Sequence, residues 1–500
     1  MGRRIQGLAV VLGSLFILIL VQLVNIQVVR APELNSSSFN PRAVSNQIMN
    51  PRGQILSSTG EIMASSTKLP SGVYQRNYPF GALTAQIVGI DSPVYGRYGL
   101  EGSYNAHLSA HSLDPSSLGQ LLVPVRGTDT ITTTLSTQLQ SLANKQLAGR
   151  DGAVVVVDSN TGAVLAMFSN PTYNPNPLVS QDRAVEEAAW KQVTCRTCNP
   201  HHFSALASLA YQYTFAPGST SKVLTSAAAY ELDPALVTKY YPYTTALSIP
   251  QTNKQLHNFG FGGCGGTLAS MLPPSCDTGY ANMGLDLGAK NLSAEAEAFG
   301  YNKPSPLDLP GVATSSFPTE AELANNPPSQ AYSAIGQQNV GATALQNALI
   351  AAGVANEGVV MEPHLVSQIR DQNGNSVYHW KPKAWTKAMT KDNAASLTAV
   401  MENVSSYGTA AGVFPPYLNI AAKTGTAQVG YPIITNTHDW MIAFGPNPKP
   451  TIAIAVVLPF QDIDATGATI AGPVIRCMML GALAYQAHQP VMNTSATCPA

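Results

Sequence analysis

Arg3 and Arg4 precede a nearly uncharged run, Ile5 to Ile26, that is rich in Leu, Val and Ile. No other feature limits the fold of this chain as strongly. A helix needs about 20 apolar residues to cross a bilayer, and this run is long enough. The two arginines ahead of it predict an amino end on the cytoplasmic side. A cleaved signal peptide is the competing reading, but its apolar region would span about 7–15 residues and end at a small-residue cleavage site. Gln27-Val28-Val29-Arg30 offers no such site. No second comparable run follows. The expectation is therefore a cytoplasmic tail over 1–4, an uncleaved single-pass anchor over 5–26, and an exported body.

That body is large. At 500 residues the chain has room for two or three domains. Apolar residues make up 45% and charged residues 11%, enough to bury a sizeable core and unlike a disordered polyelectrolyte. A net charge of −1 lacks the basic footprint of a nucleic-acid binder, so none is expected as a partner. With 40 Gly and 36 Pro, long loops should surround a regular core. No repeat of solenoid or propeller period is present.

The six cysteines are Cys195, Cys198, Cys264, Cys276, Cys477 and Cys498. An even count in an exported chain permits disulfides. Cys195 and Cys198 form a C-x-x-C that reads as a loop staple or as two inert thiols. No second C-x-x-C follows at zinc spacing, and the adjacent His201 and His202 make poor tetrahedral partners, so no metal is expected. Cys264 and Cys276 bracket a Gly-rich loop that a modest bridge can close.

Residues 27–127 are short mixed segments with frequent turn signals, a pedestal pattern. From Thr128 a β-branched strand pattern gives way to a helical one by residue 150. Gly152 to Asp158 and Ala163 to Phe168 are apolar strands around an Asn/Gly turn, hence a hairpin. Ala342 to Ala355 reads as a helix and Thr451 to Val457 as another buried strand. Strands early, helices in the middle and strands late imply an α+β domain over 128–490 whose sheet joins distant parts of the chain, with a tail over 491–500.

Three motifs carry chemistry. Ala216-Pro217-Gly218-Ser219-Thr220-Ser221-Lys222 runs into an Ala-rich helix former, placing Ser219 near a helix N-terminus. Lys222, three residues on, shares its face and should bring its amine near the Ser219 hydroxyl. Serine needs such a base to become a nucleophile, and a lysine serves when burial lowers its pKa. Ser275-Cys276-Asp277 follows Leu272-Pro273-Pro274 and can point two polar side chains into one cleft. Ala422-Lys423-Thr424-Gly425-Thr426-Ala427 reads as a strand with Gly at a close backbone approach. Each motif alone has a bland reading: an exposed helical pair, a turn, a strand edge with a surface lysine.

In this order, on an exported chain, they form the S-x-x-K, S-x-N-like and K-T-G set of penicillin-binding proteins and class A β-lactamases. The resemblance extends upstream through Arg52-Gly53-Gln54-Ile55, Thr59 to Ala64, Tyr78-Pro79-Phe80-Gly81, Ala85 to Gly89 and Gly99-Leu100-Glu101. It extends downstream through Ile335-Gly336-Gln337, Thr343 to Gln346, Gly408-Thr409-Ala410 and His438-Asp439-Trp440. Over nearly the whole chain after the anchor, the sequence resembles a class B penicillin-binding protein.

That resemblance implies an α+β transpeptidase domain, an antiparallel sheet flanked by helices, on an N-terminal pedestal or dimerisation-like domain. It implies a serine D,D-transpeptidase of peptidoglycan stem peptides that β-lactams acylate, working at the bacterial cytoplasmic membrane in elongation or division, with no cofactor. Ser219 would attack the penultimate D-alanine and release the terminal one. Lys222 would be the base and Ser275 the proton relay. Asp277, Lys423, Thr424 and Gly425 would position substrate, and the backbone N–H groups of Ser219 and Thr426 would form the oxyanion hole. A SEDS-family glycosyltransferase partner is expected by analogy.

Asp277 stands where many relatives have Asn. Whether it holds Lys222 as a cation stays open at this level, and Ala422 replaces a common Gly. A β-lactamase would need a loop glutamate to activate water, and Glu320 to Asn325 lacks the matching Asn in register. Carboxypeptidases lack these pedestal signatures. A sensor would carry a cytoplasmic region, and a dead scaffold would lose Ser219 or Lys222.

Overall fold

The computed structural model describes residues 2–30, 48–112, 126–195, 203–430, 435–491 and 498. It opens with helix α1 (Gly2–Val24), which continues as a short π-helical turn to Val29. The segment Gln6–Gln27 is long and apolar enough to cross a membrane, and none of its most apolar stretch is buried among the described residues.

Three strands follow, β1 (Ile55–Leu56), β2 (Ile62–Lys68) and β3 (Tyr74–Asn77), then β4 (Thr130–Thr133) and α2 (Thr137–Leu147). Next come the hairpin β5 (Gly152–Asp158) and β6 (Val164–Asn170) and the helices α3 (Lys222–Leu232), α4 (Asp277–Ala298) and α5 (Ala344–Ala355). The chain continues with β7 (Val366–Arg370), β8 (Ser376–His379) and α6 (Lys391–Ser406). It ends with β9 (Ala421–Val429), β10 (Asn436–Gly445), β11 (Ile452–Asp462) and α7 (Gly472–Gln486).

The core sheet has the order β6-β5-β11-β10-β9, with every neighbour antiparallel. Its middle strands are apolar without alternation because helices cover both faces. α5 packs on β5, β10 and β11, and α7 packs on β11 and on α2. The hairpin, the α2 and α5 helices and the late strand appear where the sequence predicts them. β11 runs to Asp462, beyond the expected Val457, because it stays paired with β10 as far as Asn436.

A second sheet, β8-β7-β4-β1-β2-β3, was not foreseen. It joins strands on both sides of the expected 127/128 boundary, and β1 pairs with β4 in parallel. The pedestal signatures meet beneath it. Glu101 is fully buried, takes Arg76 Nε on one oxygen at 2.6 Å and Arg52 Nε on the other. The Tyr78 hydroxyl donates to the same carboxylate and accepts from the Asp91 N–H. A buried carboxylate would be costly alone, and two guanidinium groups compensate it here.

Two disulfides are present among the described residues, Cys264–Cys276 and Cys477–Cys498. The first is a pairing that the sequence allows without assigning it. The second closes α7 against the chain's end and was not assigned from sequence. Cys195 is disulfide-bonded, and Cys198 lies outside the described residues.

Candidate active site

The three motifs converge beside β9, the edge strand of the core sheet. Pro217 and Gly218 break the chain, and a single 3₁₀ turn over Gly218–Ser221 leads into α3. Ser219, half-buried, sits at that junction, as the sequence predicts. Gly218 adopts φ +55°, a conformation that favours glycine.

Three contacts hold this turn in place. The Trp440 indole N–H donates to the Ala216 carbonyl at 2.9 Å. The Gly336 carbonyl accepts from the Gly218 N–H at 2.9 Å, and a Cβ on Gly336 would overlap the Gly218 oxygen. On the other side, a Cβ on Gly425 would stand 2.7 Å from the Pro217 carbonyl oxygen. Gly425 is thus a point of close approach, but the backbone it admits is that of the nucleophile turn. Gly336 and Trp440 stand in the downstream signatures, and nothing in the sequence signals their contacts with this turn.

Lys222 is fully buried. Its amine donates to Asp277 Oδ1 at 2.6 Å, to the Ser275 carbonyl at 2.7 Å and to Ser275 Oγ at 3.2 Å. None of these bonds goes to Ser219, where the helical spacing had pointed the amine. Lys423, also fully buried, donates to Ser275 Oγ at 2.8 Å and to the Thr424 carbonyl at 3.0 Å. Ser275 Oγ therefore lies between two amines. Accepting from both uses its two lone pairs and leaves its own hydrogen to be donated outward.

The middle motif is a strained turn. Ser275 has φ +62°, uncommon for a residue with a side chain. Cys276, its neighbour, is tied to Cys264, and α4 begins at Asp277. Asp277 Oδ2 accepts from the Phe259 N–H at 3.0 Å. The Thr424 hydroxyl pairs with that of Thr409 at 2.7 Å, bringing the Gly408-Thr409 signature to the site.

Burial pulls the Lys222 amine below the ordinary lysine range, with Asp277 opposing the shift. Lys423 is held well below that range, first by burial and then by the Lys222 charge, again against Asp277. Two buried amines lie close to a single carboxylate, so each disfavours the charge of the other.

This arrangement has known counterparts. The family model for the penicillin binding protein transpeptidase domain matches residues 152–480, and that for the penicillin binding protein A dimerisation domain matches 52–130. The peptidoglycan D,D-transpeptidase PbpA of Mycolicibacterium smegmatis is 33% identical, covering 97% of this chain and 99% of its own. That of Mycobacterium tuberculosis is 30% identical over 97% and 99%. The solved ceftriaxone acyl-enzyme complex of M. tuberculosis penicillin-binding protein A superposes with a TM-score of 0.78 at 29% identity, covering 87% of this chain and 99% of that one. The chain belongs to the class B penicillin-binding protein transpeptidases.

Proposed function

We propose that this protein is a peptidoglycan D,D-transpeptidase that works through an acyl-enzyme on Ser219 and is acylated there by β-lactams. The observation that carries the assignment is the Ser275 hydroxyl bridged between the buried amines of Lys222 and Lys423 beside the Ser219 turn.

In the acylation step Ser219 Oγ forms a bond to the carbonyl carbon of the penultimate D-alanine. Its proton goes to neutral Lys222, and the carbonyl oxygen gains negative charge. The N–H groups of Ser219 and Thr426 receive that charge, an interaction worth about 3–4 kcal/mol per donor. The C–N bond then breaks as Ser275 passes a proton to the departing amine of the terminal D-alanine, and Lys222 reprotonates Ser275. An acceptor amine attacks the ester, forms the cross-link and returns the proton to Ser219.

Substrate binding prepares the base. A peptide or β-lactam carboxylate against Lys423 and Thr424 favours the cationic form of Lys423. A cation there makes protonation of Lys222 harder still, which favours the neutral amine that the step needs. Gly425 serves the site by letting the turn that carries Ser219 pack against β9.

The apolar α1 supports a single-pass membrane anchor, with the arginines ahead of it favouring an N-in orientation and an exported catalytic body. The motif pattern supports a division into a pedestal over 27–127, a transpeptidase domain over 128–490 and a tail over 491–500. Anchor and pedestal together make a SEDS-family glycosyltransferase the favoured partner. Exchanging α1 for an unrelated membrane helix should abolish co-purification with such a partner.

Time-resolved labelling with a fluorescent penicillin tests the chemistry. A long-lived adduct, lost in Ser219→Ala, is expected. An adduct persisting in that variant, or rapid turnover in the native protein, would overturn the assignment.

A further inference from the structure

Asp439 lies on β10 directly opposite Thr426 on β9. It is fully buried, and among the described residues neither carboxyl oxygen has a hydrogen-bond partner in good geometry. The Thr426 and Thr437 hydroxyls lie close enough to favour its ionised form, and burial outweighs them. The Thr426 hydroxyl oxygen accepts from the Gly467 N–H at 3.1 Å, which leaves its own hydrogen able to turn toward the carboxyl. Gly467 is pressed on this strand pair, since a Cβ there would overlap the Trp440 carbonyl and stand 2.5 Å from that of Gly425. A carboxyl group is thus sealed behind the strand that borders the nucleophile turn, with two hydroxyls nearby and no charged partner to compensate its burial.

We propose that Asp439 is a positioning residue for acylation: kept neutral, it supports the oxyanion-binding N–H of Thr426, and its ionisation switches that support off. The inference rests on the oxyanion role proposed above. On that reading the Thr426 N–H faces the cleft, so Thr426 and Asp439 form a non-hydrogen-bonded pair, the arrangement in which opposed side chains come closest, with Cα atoms about 4.5 Å apart. A negative carboxylate at that range opposes the charge developing on the substrate oxygen in a medium of low dielectric. A neutral one does not.

Burial pushes the Asp439 carboxyl up to about 7. No neighbouring charge takes part in that shift. On β9 the nearest charged side chain, Lys423, is three positions away and by strand alternation points to the other face, where it bonds Ser275. On β10 the adjacent His438 also points the other way, packs edge-on to Phe215 and Phe460, and is kept neutral by burial, its pKa falling to about 4. On β11 the residue opposite Asp439 is Leu458, and Asp462 lies exposed at the strand's end. The short turn Gly467–Ile470 has no titratable side chain, and Arg476 on α7 does not contribute to the shift.

The test is the pH dependence of the second-order acylation rate of the detergent-solubilised full chain, read with fluorescent penicillin from pH 6 to 9. Native protein is compared with Asp439→Asn, which keeps the shape and removes the titration. The ratio of variant to native rate should rise by about tenfold across that range, with its midpoint near pH 7. A ratio constant with pH would overturn the proposal and mark a packing role. Should Asp439→Asn fail to show a cooperative melting transition, Asp439→Ser and Asp439→Ala give the same ratio with smaller side chains. Ser219→Ala runs alongside: an adduct persisting there sinks the underlying mechanism, whereas its loss with a flat ratio sinks only the role of Asp439.

Discussion

The buried Lys222 amine and the Asp277 carboxylate stand 2.6 Å apart, so the base proposed for Ser219 carries its own counter-ion. Asp277 works against burial and makes Lys222 easier to protonate. In Asp277→Asn the amide oxygen can still accept from Lys222, but the anion is gone and the amine loses its proton more readily. Since only neutral Lys222 acts as a base, the acid limb of the acylation profile should move to lower pH. The rate at neutral pH should change by no more than about fivefold. Acylation rates from pH 5 to 9 check both, and a limb moving to higher pH would refute the assignment of the base.

Ser275→Ala removes the one oxygen shared by Lys222 and Lys423 while sparing the carbonyl that Lys222 also uses. Loss of a positioned proton carrier costs about 100- to 10,000-fold, and acylation should fall by that factor. The melting temperature should fall little, since the Lys222–Asp277 pair survives. An acylation rate within about threefold of native would rule Ser275 out as the relay.

Gly336 has φ +72°, and a side chain there would strike the Gly218 carbonyl and stand 2.6 Å from Ser221 Oγ. Gly336→Ala is expected to cost roughly 2–4 kcal/mol from backbone strain and overpacking. Because the clash falls on the turn carrying Ser219, acylation should drop more than about tenfold even at temperatures where the variant is folded. Denaturant melts and labelling rates on the same preparation separate the two effects.

Glu295 on α4 is buried with Oε1 unpartnered, and burial, helped by Glu231, raises its pKa to about 8. The folded chain therefore holds this proton between about pH 4.5, the ordinary carboxyl value, and pH 8, whereas the unfolded chain releases it. Stability should fall as pH rises through that window, by up to about 1.4 kcal/mol per unit, and level off above it. Glu295→Gln should flatten this slope, and equal slopes in urea melts at pH 6, 7 and 8 would count against it.

The legible part of the site is what short sequence spacing encodes. Ser219 and Lys222 are neighbours on one helical turn, and Ser275 and Asp277 flank a single cysteine. Their residue types announce chemistry wherever they fold. Trp440 is different, because its bond to Ala216 spans 224 residues and follows from how β10 pairs with β9. Cys477 and Cys498 likewise revealed no pairing until α7 was placed. The second sheet escaped for the same reason, since β1 gains its parallel neighbour β4 only by long-range pairing.

The sequence by itself determined the apolar helix, the Pro-Gly break that starts the nucleophile helix, the strand bearing Lys423 and the order of the three motifs. These follow from local periodicity, turn chemistry and side-chain identity, which act over a few residues. Only the tertiary structure decided that Lys222 bonds Asp277 and Ser275, that Ser275 bridges two lysines and that Asp439 is sealed behind Thr426 without a charged partner. Ionisation and hydrogen bonding depend on which groups share a dry interior, and that is settled by packing between segments far apart in the chain.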